Sequence, residues 1–323
     1  MMKLAIVGCG HVGRALLRLL DARRDRFPFA VTGIHTARHG TALDPAGLGP
    51  QPMFGPPSPD VGAFLDAARA DVCVELTPLE PATGEPAIGH IRAAFARRMH
   101  VVTANKGPLA HAYAALRDEA GRAGVLFRFE STVMDGAPVF NLVRHTLPGV
   151  RVLGFTGALN STTKVIVEVM ERGGTFEEGL TEARRLGITE GDGACDVEGW
   201  DSAAKTAALA NVLMDAGITP QSVSTRGMAR LTPARIRQFA AAGKTVRLIS
   251  RARRGAKGLS LRVRAEVLDR ADILACVPGT SNLLLLHTDL MGTIGTVSIN
   301  PGVEQTAYGV LSDLVSLSSH LTR

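Results

Sequence analysis

The opening of the chain constrains its fold more than any other stretch. A short apolar run over residues 3–7 leads into Gly8-Cys9-Gly10-His11-Val12-Gly13, and helical periodicity continues over 14–20. Strand, glycine turn and helix in that order give the context of the G-x-G-x-x-G dinucleotide fingerprint. The first glycine permits the turn, the second lets backbone approach a pyrophosphate, and the third lets helix and strand pack closely.

An alternating pattern downstream of the motif gives it weight. Strands are expected over 30–34, 72–76, 100–103 and 125–129, with helices over 61–69, 86–98 and 109–120 between them. This alternation predicts a doubly wound parallel sheet of Rossmann type, an α/β domain over residues 1–135. The Pro- and Gly-rich stretch 43–59 reads as a loop within it. After residue 136 the rhythm changes to helices at 137–145, 161–171, 176–186 and 199–216 and strands at 152–158, 245–251, 259–267, 282–288 and 294–299. The later strands are joined by short turns, which predicts an antiparallel or mixed sheet. Residues 136–301 are therefore expected to form a second, α+β domain for catalysis and dimerisation. Residues 302–323 form a helix expected to return to the first domain.

A chain of 323 residues suits two such domains. Aromatic content of 4% is too sparse for a base-stacking surface, and the net charge of +6 is spread along the chain. Phosphorylated or carboxylated small ligands are expected, and no nucleic acid. The basic alternation of Arg247, Arg251, Arg253, Arg254, Lys257, Arg262 and Arg264 reads as a hairpin with one solvated face. Cys9, Cys73, Cys195 and Cys276 form no C-x-x-C pair, as expected of reduced thiols in the cytoplasm. No apolar run approaches the roughly 20 residues that span a bilayer, so no membrane partner is expected.

Chemistry concentrates at residues 190–205, where Glu190, Asp192, Asp196, Glu198, Asp201 and Lys205 stand at the head of a helix expected to be amphipathic over 199–217. Desolvating so many carboxylates for packing alone is costly. Asp201 and Lys205 are four apart and share a face. An acid and an ammonium one turn apart can grip a zwitterion such as an amino acid and leave the lysine to handle a proton. The plainer reading is a surface ion pair. At the other end, an acid about twenty residues past the glycines would grip a ribose 2′-hydroxyl, but 27–43 holds no Asp or Glu. Arg38, with His39 or Thr36, can instead meet a 2′-phosphate, which points to NADP, with NAD as the alternative.

Three segments join these pieces: V-E-L-T-P at 74–78, V-V-T-A-N-K-G-P-L-A at 101–110, and the 196–205 block. With them in this order around the glycine turn, the chain resembles the homoserine dehydrogenases over nearly its whole length, in the short form without a regulatory C-terminal domain. The resemblance implies reversible, nicotinamide-dependent interconversion of L-homoserine and L-aspartate 4-semialdehyde, a step of threonine and methionine biosynthesis. It implies that Lys205 gives and takes the proton at the substrate oxygen and that Lys106 supports the same centre. Glu190 and Asp201 would bind the substrate ammonium, with Asp196 behind them and Thr162 available to the substrate. Gly8, Gly10, His11, Val12 and Gly13, with Thr77, Pro78, Asn105 and Lys106, would line the cofactor, as would Gly187 and Gly302.

Glu130, with the carbonyls of Val133, Asp135 and Ala137, matches a loop that would hold sodium or potassium. A homodimer paired through the strands over 282–299 is expected by fold analogy. Ser161, Lys164 and Ile188 depart from the family pattern and bear on substrate choice. Two competing readings are a related dehydrogenase of another amino or hydroxy acid and a nucleotide-sensing protein of the same fold. Retention of Lys106, Lys205 and Asp201 argues against a pure binder.

Overall fold

Short apolar runs too brief for helices, each succeeded by a helical pattern, become the parallel sheet of the first unit. The computed structural model describes residues 1–189, 193–256 and 258–321. The chain divides into one unit of Met1–Asn141 with Gly302–Arg323 and another of Leu142–Pro301. In the first unit the elements are β1 (Met2–Val7), α1 (His11–Ala22), β2 (Phe29–Thr36), β3 (Gly40–Leu43), α2 (Val61–Ala68), β4 (Val72–Glu75), α3 (Ala87–Ala96), β5 (His100–Thr103), α4 (Lys106–Ala123) and β6 (Phe127–Arg128). The sheet order is β3-β2-β1-β4-β5-β6, parallel throughout except for β3 against β2. This is the Rossmann arrangement that the alternation predicts. Strand order reverses beside β1, so the carboxyl ends of β1 and β4 flank the crevice where ligands bind in such sheets.

Strand β3 was not expected, because four residues are too few to show alternation. Its start needs Gly40 at φ +87°, where a Cβ would lie 2.1 Å from the Gly55 carbonyl oxygen. The core joins Leu4, Ile6, Leu16, Val31, Ile34 and Val74 to Val310, Leu311, Leu314 and Leu317. Full burial of each contributes about 2 kcal/mol.

Helix α5 (Phe140–Thr146) begins three residues later than its periodicity suggests. The buried Glu130 carboxylate accepts from the amides of Val139 at 2.5 Å, Phe140 at 2.9 Å and Asn141 at 2.5 Å, and so sets the helix start. A carboxylate there satisfies amides that a helix leaves open and matches its dipole.

The second unit holds β7 (Val152–Ala158), α6 (Ser161–Glu171), α7 (Phe176–Arg185), α8 (Ala194–Glu198), α9 (Trp200–Met214), β8 (Ser224–Arg226), α10 (Pro233–Ala241), β9 (Lys244–Gly255), β10 (Gly258–Asp269), β11 (Asn282–Thr288) and β12 (Thr293–Ser298). Its sheet order is β12-β11-β7-β9-β10-β8, antiparallel except where β8 runs parallel to β10. Helix α11 (Val303–Leu321) belongs to the first unit and packs on α1.

Three elements of the second unit carry little sequence signal. Helix α8 is five residues inside the acidic stretch, β8 is three residues long, and α10 buries only Ile236. Two expectations are corrected. Helix α9 is not amphipathic, since from Ser202 to Asn211 every residue except Lys205 is buried. Its alanines let β7, β9 and β10 approach closely, which leaves no solvated face there. The basic hairpin exists, with β9 and β10 paired along their length, but Arg247 is not on a solvated face. It is 5% exposed and faces Glu168 at 3.5 Å. Lys257 lies outside the described residues. Among the described residues no helix is long and apolar enough to cross a membrane.

Candidate active site

The glycine turn closes the carboxyl end of β1. Gly8 sits at φ +93°, and a Cβ there would lie 2.7 Å from the Leu76 carbonyl carbon, so backbone meets backbone at the end of β4. At Gly13 a Cβ would lie 3.0 Å from the Gly8 oxygen, which is how α1 packs against its own turn. Gly10 differs, for its missing Cβ faces open space with no atom within 4 Å among the described residues. No side chain caps α1 there among the described residues, so the turn leading into His11 and Val12 offers main-chain amides to an anion. The chain thus fits a dinucleotide pyrophosphate. Two substitutions separate the roles. Gly8→Ala is expected to lower the melting temperature by several degrees and weaken cofactor binding, because strained φ and collision add about 2 kcal/mol or more. Gly10→Ala is expected to keep the melting temperature while raising the cofactor KM about tenfold. Thermal melts and cofactor titration check both.

Beyond β4 the chain turns through Thr77 and Pro78, and this turn is held by Glu75, to which the sequence alone assigns no role. Glu75 is fully buried, and its carboxylate accepts the Thr77 amide at 3.0 Å, the Thr77 hydroxyl and the Thr103 hydroxyl at 2.8 Å. A charge so buried needs several such donors. Asn105 completes the frame. Its amide nitrogen donates to the carbonyls of Thr77 at 3.0 Å and Pro78 at 3.1 Å, while its oxygen caps α4 through the Gly107 amide at 2.9 Å. Lys106 is the first residue of α4 and is partly buried. Thr77 and Pro78 after β4 and Asn105 and Lys106 after β5 therefore form two neighbouring turns of the first unit, tied together by the Asn105 hydrogen bonds.

In the second unit the carboxylates and the lysine converge. Lys205 Nζ lies 3.0 Å from Asp201 Oδ2 and donates to the Leu159 carbonyl at 2.7 Å, with both charged side chains 16% exposed. This is not a surface pair, because the lysine emerges from the buried run of α9. Asn160 links the acids: its amide nitrogen donates to Asp196 Oδ1 at 2.6 Å and Asp201 Oδ2 at 3.1 Å, and its oxygen caps α6 through the Thr163 amide at 2.9 Å. Thr189 donates to Asp196 Oδ2 at 2.9 Å. Burial, with the Asp201 charge behind it, pushes the Asp196 carboxyl up from its ordinary range, against the Asn160 and Thr189 hydrogen bonds and the Lys205 charge. Asn160, Thr189 and the Leu159 carbonyl were missed by sequence reading. The only trace they leave is the Asn160 capping position ahead of an apolar helix.

The other expected residues occupy more varied places. Thr162 is buried and donates to the Ile188 carbonyl at 3.1 Å, so it anchors the chain leading toward Glu190. Glu190 itself lies outside the described residues, as does Asp192. Gly187, at φ +68°, stands just past the end of α7, where its amide donates to the Arg184 carbonyl at 2.9 Å, a helix terminus that glycine suits. Gly302 donates its amide to the Gln305 side chain at 2.8 Å at the start of α11. In the turn between β2 and β3, Thr36 is committed to the His39 amide at 2.9 Å, and the His39 ring lies 6.0 Å from Phe54. Arg38 is exposed. The Glu130 carboxylate, expected to help hold a cation, is spent on three amides. Burial pushes the Glu130 carboxyl up, opposed by those hydrogen bonds.

Comparison with known proteins agrees with both halves. Residues 8–130 match the family model for the homoserine dehydrogenase NAD-binding domain, and residues 138–315 match that for homoserine dehydrogenase. A homoserine dehydrogenase of Methanocaldococcus jannaschii is 36% identical, covering 98% of each chain. An NAD(+)-dependent homoserine dehydrogenase of Pseudomonas canavaninivorans is 34% identical, over 99% of this chain and 97% of the relative. Among solved structures, a putative homoserine dehydrogenase from Archaeoglobus fulgidus superposes with a TM-score of 0.86 at 29% identity, over 98% and 99% of the two chains. A hyperthermophilic archaeal homoserine dehydrogenase mutant in complex with NADPH gives 0.81 at 25% identity, over 99% and 98%. With both segments matched in order and relatives aligned from end to end, the chain belongs to the homoserine dehydrogenase family of NAD(P)-dependent oxidoreductases.

Proposed function

We propose that the chain interconverts L-homoserine and L-aspartate 4-semialdehyde, with Lys205 handling the proton at the substrate oxygen. The single observation that carries this is the place of Lys205, the one residue between Ser202 and Asn211 that is not buried, held by Asp201 and the Leu159 carbonyl. The nicotinamide supplies or takes the hydride when bound. Negative charge then develops on the aldehyde oxygen, and the Lys205 ammonium stabilises it and delivers the proton. Asp201 and Glu190 bind the substrate ammonium, and Asp196 holds Asn160 and Thr189 in place behind them. Lys106, at the start of α4 beside Asn105, is assigned the supporting role in the proton step that the family resemblance implies. The carbonyls of Val133, Asp135 and Ala137 hold a monovalent cation. Exposed Leu153, Val297 and Ile299 supply an apolar surface for pairing two copies.

For the cofactor, the exposed Arg38 with no nearby acid on β2 favours NADP over NAD. The test is oxidation of L-homoserine, monitored by the absorbance of reduced nicotinamide, with NAD and NADP side by side. Arg38→Ala is expected to raise the NADP KM about tenfold and leave the NAD KM unchanged. No turnover with either cofactor sinks the reading, and equal effects on both KM values sink the role of Arg38.

A further inference from the structure

The first turn of α6 contains a buried cation that the reaction does not use. Lys164 is 4% exposed, and its ammonium donates to the carbonyls of Val277, at 3.3 Å, and Ser281. Three residues earlier, and so on the same side of the helix, Ser161 donates its hydroxyl to the Thr280 carbonyl at 2.6 Å. Two side chains from one helical turn thus grip three carbonyls of the 277–281 segment. That segment is tethered in turn, since the Asn300 amide donates to the Ser281 hydroxyl at 3.0 Å. Immediately before Ser161 stands Asn160, whose amide bridges Asp196 and Asp201.

We propose that Lys164 is a positioning residue for substrate binding: with Ser161 it clamps the first turn of α6 to the 277–281 segment and so aims the Asn160 amide at the two carboxylates. The proposal rests on the homoserine reading of the site. A buried ammonium costs several kcal/mol in desolvation unless donors and acceptors are matched, so its retention here calls for a task. Each hydrogen bond it makes is charge-assisted and weakens when the proton is lost.

The clamp is therefore sensitive to pH. Burial, reinforced by Arg247 on β9 and opposed by Glu168 on α6, lowers the Lys164 ammonium to about 8. Those two charges are themselves set in a network: Glu168 feels Arg172 and Glu171, Arg247 feels Glu171 and Arg270, and Glu171 pairs with Arg270 at 2.7 Å. Below about pH 8 the clamp carries its charge, and at higher pH the charge is gone.

The experiment compares Lys164→Met with the parent enzyme, measuring the KM for L-homoserine between about pH 6.5 and pH 9.5. Removing charge-assisted bonds is expected to raise KM about tenfold at the acid end. The ratio of the two KM values is expected to fall toward one as pH passes through about 8, where the parent loses its own charge. Titration of the substrate amine cancels in that ratio. A variant that merely loosens packing gives a ratio independent of pH, and that result overturns the proposal. Should Lys164→Met fail to fold, Ser161→Ala cuts the other arm of the clamp and is expected to raise KM several-fold with kcat unchanged. An unaltered KM in Ser161→Ala likewise overturns it. These outcomes are separable from the homoserine reading, which falls only if the parent does not oxidise homoserine or if Lys205 proves dispensable.

Discussion

Lys205→Ala is expected to lower kcat for homoserine oxidation by about 10²- to 10⁴-fold, the range for losing a positioned acid–base group. The substitution removes the ammonium that faces Asp201 at 3.0 Å and the Leu159 carbonyl at 2.7 Å. The side chain is only 16% exposed, so a thermal melt of the variant accompanies the kinetics to separate lost packing from lost chemistry. Cofactor binding is expected to persist, since the glycine turn and the Glu75 frame belong to the first unit. Titration of NADPH into the variant checks this. Lys205→Arg should not restore turnover, because a guanidinium holds its proton at any working pH. Turnover near the parental rate in Lys205→Ala would show that the proton is handled elsewhere.

Asn160→Asp is expected to lower kcat/KM about 100-fold near neutral pH while leaving the melting temperature within a few degrees. Aspartate caps a helix as well as asparagine does, so the bond to the Thr163 amide survives. What changes is the other end of the side chain. The amide nitrogen that donates to Asp196 at 2.6 Å and Asp201 at 3.1 Å becomes a third carboxylate oxygen among acceptors. Like charges about 4 Å apart cost on the order of 4 kcal/mol at an effective dielectric of about 20. The cluster relieves this by taking up a proton, which Asp196 already favours through burial. Activity of the variant should therefore recover in part as pH falls, relative to the parent at the same pH. The profile of kcat/KM against pH is the measurement. A variant as active as the parent would mean that the amide bridge does not shape the site.

Local features of the site were legible because local spacing decides them. Gly8, Gly10 and Gly13 need only a strand before and a helix after, and Asp201 with Lys205 needs only the pitch of a helix. Asn160 was not legible as a site residue. It meets its carboxylate partners 36 and 41 residues away, and Lys205 meets the Leu159 carbonyl across 46. A main-chain carbonyl leaves no trace in residue type. Glu75 stands within the V-E-L-T-P segment, yet its task appears only when β4 and β5 lie side by side and Thr103 comes within reach.

By itself, the sequence determined the alternating architecture, the nucleotide turn and the acid–lysine pair, since periodicity and short spacings act within a few residues of one another. Only the tertiary structure decided that α9 is enclosed rather than amphipathic, that Arg247 points inward, and that one asparagine joins two acids to a helix cap. Those outcomes depend on which faces the sheet covers, and burial of a face is a property of the packed chain rather than of any segment in it.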